Sequence, residues 1–324
     1  MPRRPRIEYA GAVYHVLNRG NYRRDLFAVE GSGACFEQTL FDTCERFGWR
    51  LHAYVLMSNH YHLCVETPDG RLSCGMQWLQ STFANRFNRL VNDRGHVFQG
   101  RYKALLIERG ESLLRVVNYI HLNPVRAGIQ RVETLRDHEL SSFPRFFRRE
   151  RPACLVNADW LCLAGDLRPT AAGMRCYHRY LAMAEEGNPR RRSALREQLC
   201  RGWYIGTREG KRALVKKLDK GRLGCEKGAE PAGYGEERAE TLLEEGLRRL
   251  GRKQPDLSSD RKLAAWKVVL AGWIKLHCGV TNRWFSEAMH MGNIYGISKA
   301  VARENKAKMH AKLWQTLPTP KSKA

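Results

Sequence analysis

The sequence predicts an α+β fold: a small antiparallel sheet backed by helices, followed by a helical C-terminal region. Three observations carry that prediction. The first 130 or so residues switch repeatedly between period-two and helical spacing of their apolar positions. Two alternating runs, WRLHAYVLM (49–57) and HYHLCVE (60–66), are separated only by a short polar break, the pattern of a hairpin. From about residue 241 to 315 the spacing is helical again.

The elements follow in order. AVYHVLNR (12–19), with β-branched Val13 and Val16, reads as a strand. Residues 33–47 place Phe36, Leu40, Cys44 and Phe47 at helical spacing. The hairpin comes next. Residues 71–90 then form an amphipathic helix with Leu72, Met76, Leu79, Phe83, Phe87 and Leu90 on one face. GHVFQGRYKALLIE (95–108) holds a further strand. A helix from Ser112 to about Asn123 turns Leu113, Val117 and Ile120 inward. Strand, helix, hairpin, helix, strand, helix is a sheet with segregated helices. Residues 1–145 make this first domain. Residues 146–220, rich in Arg with helical patches at 172–186 and 193–201, read as a helical extension. The Gly-rich, charged stretch 221–240 reads as a flexible linker, and 241–324 as a helical domain.

The 324 residues carry a net charge of +23, which favours a polyanionic partner such as nucleic acid. No run of about 20 apolar residues is present, so no membrane span is expected. The basic N-terminus has no apolar stretch behind it and does not resemble a secretory leader. The ten cysteines form no C-x-x-C pair. They read as reduced thiols of a cytoplasmic, nucleoid-associated protein.

LMSNHYHLCVE (56–66) is the first stretch with chemistry in it. On a strand, His60, His62, Cys64 and Glu66 share one face, and Tyr61, Leu63 and Val65 share the other. Two imidazoles at this spacing can bridge one divalent ion. They can equally be polar residues on the wet face of a sheet, and the pair alone does not choose. Glu66 lies too far along to join the same ion. Downstream, VVNYIHLNPVRAG (116–128) places Tyr119 and Asn123 one helical turn apart. Pro124 ends or kinks the helix at Asn123, leaving a carboxamide at a helix end. Tyr119 is then either a nucleophile beside a metal site or a half-buried core tyrosine, and Asn123 either a ligand or a helix stop.

Residues 281–305 read as a helix-turn-helix. Phe285 and Met289 face inward from the first helix, Met291–Asn293 turn the chain, and Ile297 and Val301 face inward from the second. Asn293, Tyr295, Ser298, Lys299 and Arg303 face outward, available to a major groove. A helix from Leu263 to about His277 would complete a three-helix unit.

Four stretches occur together: GAVYHVLNRGNYR (11–23), AYVLMSNHYHLCVETP (53–68), GHVFQGRYKALLIE (95–108) and YIHLNPVRAG (119–128). In this order and spacing they resemble the REP-associated tyrosine transposases, relatives of the transposases of small insertion sequences that move as single-stranded DNA. The resemblance covers roughly residues 1–145, with a weaker echo in SSF (141–143) and GWYIGTREG (202–210). It implies a ferredoxin-like HUH endonuclease fold. It implies His60, His62 and Asn123 as ligands of Mg²⁺ or Mn²⁺, and Tyr119 as the nucleophile that forms a 5′-phosphotyrosine. Ser58 departs from the proline often found there. The implied partner is single-stranded DNA beside a hairpin, with no nucleotide cofactor, and the protein acts as a monomer or a homodimer. Arg3, Arg4 and Arg6 in an N-terminal arm, with Arg19, Arg101, Lys103 and Arg126 inside the motifs, are candidate phosphate contacts. Two alternatives stand beside this reading: a largely non-catalytic DNA-binding protein or repressor at repeated hairpins, and a nickase of replication-initiator type. An RNA-binding sheet fits less well, because HVFQGRYKA lacks the paired aromatics of an RNA-recognition strand.

Overall fold

The period-two runs become strands in the computed structural model, which describes residues 7–185, 197–219 and 234–318. β1 (Ala12–Arg19), α1 (Ser32–Phe47), β2 (Arg50–Leu56), β3 (His60–Thr67), α2 (Leu72–Leu90) and β4 (Lys103–Ile107) follow in that order. The strands pair antiparallel in the spatial order β2-β3-β1-β4, so the sequence-adjacent hairpin β2–β3 is flanked by β1 rather than β4. This is the ferredoxin-like arrangement.

One face of the sheet is the main core. The register sets Tyr14 opposite Val65 and Val16 opposite Leu63, and cross-strand partners share a face. α1 and α2 cover this face with an aromatic cluster in which the Phe36 ring lies 4.9 Å from Tyr61 and 5.0 Å from Phe83, centroid to centroid. α1 stops at Gly48, whose φ of 63° admits the left-handed turn that closes its N–H onto the Cys44 carbonyl. α2 closely approaches Trp49, the residue before β2, at Gly75, where a Cβ would fall 2.1 Å from the Trp49 ring.

The opposite face is covered by α3 (Glu111–His121), which buries Leu113, Val117 and Ile120 as its spacing predicts. The face that carries the two histidines is therefore dry at His62, which is 3% exposed, and at Tyr119, 5%, while His60 is half-buried. His121 ties the end of α3 to its surroundings, with Nδ1 3.1 Å from the Tyr177 hydroxyl and Nε2 2.9 Å from Ser142 Oγ. Ser142 Oγ also accepts the Tyr54 N–H of β2 at 3.0 Å. The outer edge of β2 is further paired by Leu140, Cys154 and Val156, which leaves no open edge on that side for aggregation.

Two stretches differ from their expected form. The extension 146–220 contains the helix Ala171–Glu185 but also a fifth strand, β5 (Tyr204–Ile205), which pairs parallel with β4. A parallel neighbour needs a long crossover, and two residues show no alternation that would reveal it. The expected patch at 193–201 falls partly outside the described residues. The linker expected at 221–240 falls largely outside them too, but 234–240 begin the helix Tyr234–Arg249. Ala239, Leu243 and Leu247, four residues apart, give that helix a buried stripe.

The described residues divide into two compact units, 7–211 and 212–219 with 234–318. The second is helical. Its central helix, Ala265–His277, buries Val268 to Ile274 almost completely. Two further helices, Asn282–Ala288 and Ile294–Ala307, bury Phe285, Ile297 and Val301 against the same core, and Met289 just past the first is buried there too. Thr281 and Asn293 cap them, accepting the N–H of Trp284 and Tyr295. No described helix is long and apolar enough to cross a membrane.

Candidate active site

The strand register assembles the site. Arg19 lies opposite His60, Leu17 opposite His62, and His15 opposite Cys64. On the other side of β1, Lys103 lies opposite Leu17. Directly opposed residues share a face, so His15, Arg19, His60, His62 and Lys103 all project toward α3. α3 then lays Tyr119 over the pair. Its ring stands edge-on to His62 at 5.5 Å and to His15 at 5.9 Å, and the His60 and His62 rings are 5.2 Å apart. The Arg126 guanidinium carbon lies 5.5 Å from the centre of the Tyr119 ring. The Tyr119 hydroxyl is 3.3 Å from Cys200 Sγ.

Hydrogen bonds set which nitrogen of each histidine carries the proton. His15 Nδ1 lies 2.7 Å from the Leu199 carbonyl, which can only accept, so Nδ1 bears the hydrogen. His15 is completely buried, and its two nitrogens meet a carbonyl and another imidazole rather than a carboxylate, so a charged ring is disfavoured and Nε2 is an acceptor. His62 Nδ1, 2.9 Å away, is therefore the donor. His60 Nδ1 donates to Asn59 Oδ1 at 2.8 Å. In their neutral forms both histidines then hold their protons on Nδ1 and their lone pairs on Nε2. Two basic nitrogens of fixed orientation on one strand face fit a divalent cation.

Asn123 is placed differently. α3 closes at His121, and Asn123 opens the short turn α4 (Asn123–Arg126), with Pro124 next in line. Asn123 is 9% exposed, and among the described residues it joins no hydrogen bond or ring contact with the two histidines or Tyr119. Glu66 shares the histidine face but is drawn elsewhere, with oxygens 2.8 Å from Arg109, 3.2 Å from His52 and 3.3 Å from Arg50. His52, Glu66 and Asp159 bring three ligand-type atoms within 4.8 Å of one another, but the two guanidinium groups already supply the positive charge there.

The candidate DNA contacts divide. Arg3, Arg4 and Arg6 lie outside the described residues. Arg19, Lys103 and Arg126 border the histidine cluster, and Lys103 Nζ donates to the Cys200 carbonyl at 3.1 Å. Arg101 is exposed in the loop before β4. Asn293, Tyr295, Ser298, Lys299 and Arg303 are all exposed, in the other unit. Sequence reasoning missed His15, Leu199 and Cys200. The only signal for His15 was a histidine between Val13 and Leu17 on an otherwise apolar strand face.

Comparison with known proteins bears on this geometry. Residues 8–123 match the family model described as transposase, IS200-like. The matched segment runs from just before β1 to Asn123 and so contains His15, His60, His62 and Tyr119. A curated protein of Haemophilus influenzae, provisionally named a REP-associated tyrosine transposase, is 26% identical over 148 residues, which are 41% of this chain and 81% of that protein. A solved structure of a REP-associated tyrosine transposase bound to a REP hairpin aligns with a TM-score of 0.39 and 19% identity, covering 49% of this chain and 90% of the other.

Proposed function

We propose that this chain is a transposase that cleaves and rejoins single-stranded DNA beside hairpin-forming repeats, with Tyr119 as nucleophile. The observation that carries the reading is the Tyr119 ring, edge-on at 5.5 Å to a histidine whose proton is fixed on Nδ1. The names of the relatives point the same way.

The roles follow from the residues. His60 and His62, each through Nε2, would hold Mg²⁺ or Mn²⁺, with Asn123 as third ligand. A divalent ion held there would supply Lewis acidity to the scissile phosphate. Tyr119 Oη gives up its proton and forms a bond to phosphorus, while the bond from phosphorus to O3′ breaks. The leaving oxygen takes up a proton, so the products are a 5′-phosphotyrosine and a free 3′-OH. A free tyrosine has a pKa of about 10. The Arg126 guanidinium stabilises the phenolate that must form. A second 3′-OH then attacks the phosphotyrosine, re-forms a phosphodiester and returns the proton to Tyr119. The phosphodiester energy is kept throughout, so no nucleotide cofactor takes part. Arg19, Arg101 and Lys103 position the backbone, and the helix-turn-helix residues Asn293, Tyr295, Ser298, Lys299 and Arg303 bind DNA a second time.

One observation favours the alternative of a binder with little turnover: Tyr119 is only 5% exposed, with its hydroxyl against Cys200. The test is a labelled hairpin oligonucleotide with a single-stranded flank, drawn from repeats of the source genome, incubated with Mn²⁺ and run on a denaturing gel. The reading predicts a covalent adduct that Tyr119→Phe abolishes. An adduct that survives Tyr119→Phe contradicts the assignment of the nucleophile. A protein that binds these hairpins and forms no adduct fits the binder.

A further inference from the structure

We propose that His15 is a positioning residue for the candidate metal site, accepting the Nδ1 proton of His62 and so presenting the lone pair of His62 Nε2 to the ion. This rests on the reading of His60, His62 and Tyr119 given above.

The need for such a residue is chemical. A neutral imidazole in water carries its proton mostly on Nε2. On His62 that tautomer would point an N–H where a ligand must offer a lone pair. Ligating histidines are usually held in the right tautomer by a partner on the other nitrogen. For His60 that partner is the neighbouring residue, Asn59. For His62 it is a residue 47 positions away on another strand.

His15 is built for the task. It is completely buried, so no water competes for the hydrogen bond. Its ring is nearly parallel to that of His62, 5.1 Å away with 24° between the planes. Its own tautomer is fixed from behind by the Leu199 carbonyl. The relay therefore runs in one direction, from His62 Nδ1–H to His15 Nε2, and from His15 Nδ1–H to Leu199 O. The next residue, Cys200, meets Tyr119 with its thiol and Lys103 with its carbonyl. Two consecutive residues thus brace the orienting histidine, the candidate nucleophile and a candidate phosphate contact. A histidine kept only for packing needs neither a neutral acceptor toward His62 nor a carbonyl behind it.

The test uses the full chain with ¹⁵N-labelled histidine, without metal, and reads tautomers from two-bond ¹H–¹⁵N correlations. The His62 signals are assigned by their loss in His62→Phe. Mn²⁺ affinity is read separately from the electron paramagnetic resonance signal of the free ion. The wild type is expected to show His62 with its proton on Nδ1. His15→Phe fills the space but accepts no proton. It should move His62 toward the Nε2–H form and weaken Mn²⁺ binding by about ten- to a hundredfold. His15→Gln supplies an oxygen for His62 and an N–H for Leu199, and should restore most of both. A wild type with His62 protonated on Nε2 overturns the proposal, as does a folded His15→Phe with unchanged Mn²⁺ affinity. If His15→Phe does not fold, the wild-type tautomer and the His15→Gln affinity decide. A wild type with the expected tautomer and Mn²⁺ binding but no DNA adduct would contradict the cleavage reading and leave the role of His15 standing.

Discussion

The sheet unit and the C-terminal helical unit are both built on apolar cores, yet they hold their candidate function in opposite ways. In the sheet unit His15, His62 and Tyr119 are buried and their relations are fixed: three strands, one helix and the segment at Leu199–Cys200 converge on His62 and Tyr119. In the helical unit the candidate residues, Asn293 to Arg303, stand exposed on one helix and its cap, and the core beneath them only holds that helix in place. Chemistry at one atom demands oriented groups that cannot move. Contact with a DNA backbone demands charge on a rigid surface. The two units should therefore fail differently when altered.

The largest effect is expected from the cores. Phe36→Ala and Phe285→Ala each remove a fully buried ring, at a cost of about 3–5 kcal/mol. Followed by calorimetry and by the adduct gel, Phe36→Ala should destabilise the sheet unit and lose the adduct. Phe285→Ala should destabilise the helical unit and keep it. Loss of the adduct in both would break the comparison.

Within the site, His62→Ala should slow adduct formation by about a hundredfold or more and weaken Mn²⁺ binding in parallel. A rate that falls without any change in Mn²⁺ affinity would point to His62 as an acid–base group instead of a ligand.

This division also explains what was legible in the sequence. The phase of β3 is local, so the shared face of His60 and His62 and the core face of Tyr61, Leu63 and Val65 were readable from the alternation. The buried and exposed positions of the two C-terminal helices were readable for the same reason. The role of His15 was not, because it depends on the register of β1 against β3, and nothing within AVYHVLNR states which strand it meets. Leu199 and Cys200 were still less accessible, since a carbonyl and a thiol reach the site from a segment far along the chain. The helix that starts at Tyr234 was hidden by the glycines and charges before it, which outweighed the four-residue spacing of Ala239, Leu243 and Leu247.

A smaller effect is expected at the exposed helix. Lys299→Glu with Arg303→Glu should weaken hairpin binding roughly tenfold at moderate salt and reduce the salt dependence by about two phosphate contacts. The rate of adduct formation at saturating oligonucleotide should not change. An unchanged salt slope would remove these residues from the DNA interface.

The smallest effect lies away from both candidate DNA sites. The hydrogen bond to His52, helped by Arg109 and Arg50, holds the Glu66 carboxyl down at about 2, from an ordinary value of 4.5. A depressed carboxylate contributes its stability above the unfolded pKa and loses it as pH falls through the folded one. The acid limb of unfolding between about pH 4.5 and 2 should therefore be shallower in Glu66→Gln, measured by circular dichroism. An unchanged limb would mean that these ion pairs contribute nothing to the sheet unit.

Tyr119 is the proposed nucleophile at phosphorus. Mass spectrometry of the proteolysed adduct, formed with Mn²⁺ and a hairpin oligonucleotide, tests it most directly. The expected product is a 5′-phosphate of the cleaved strand attached to the peptide that contains Tyr119. Attachment at any other residue, or through a 3′-phosphate, would contradict it.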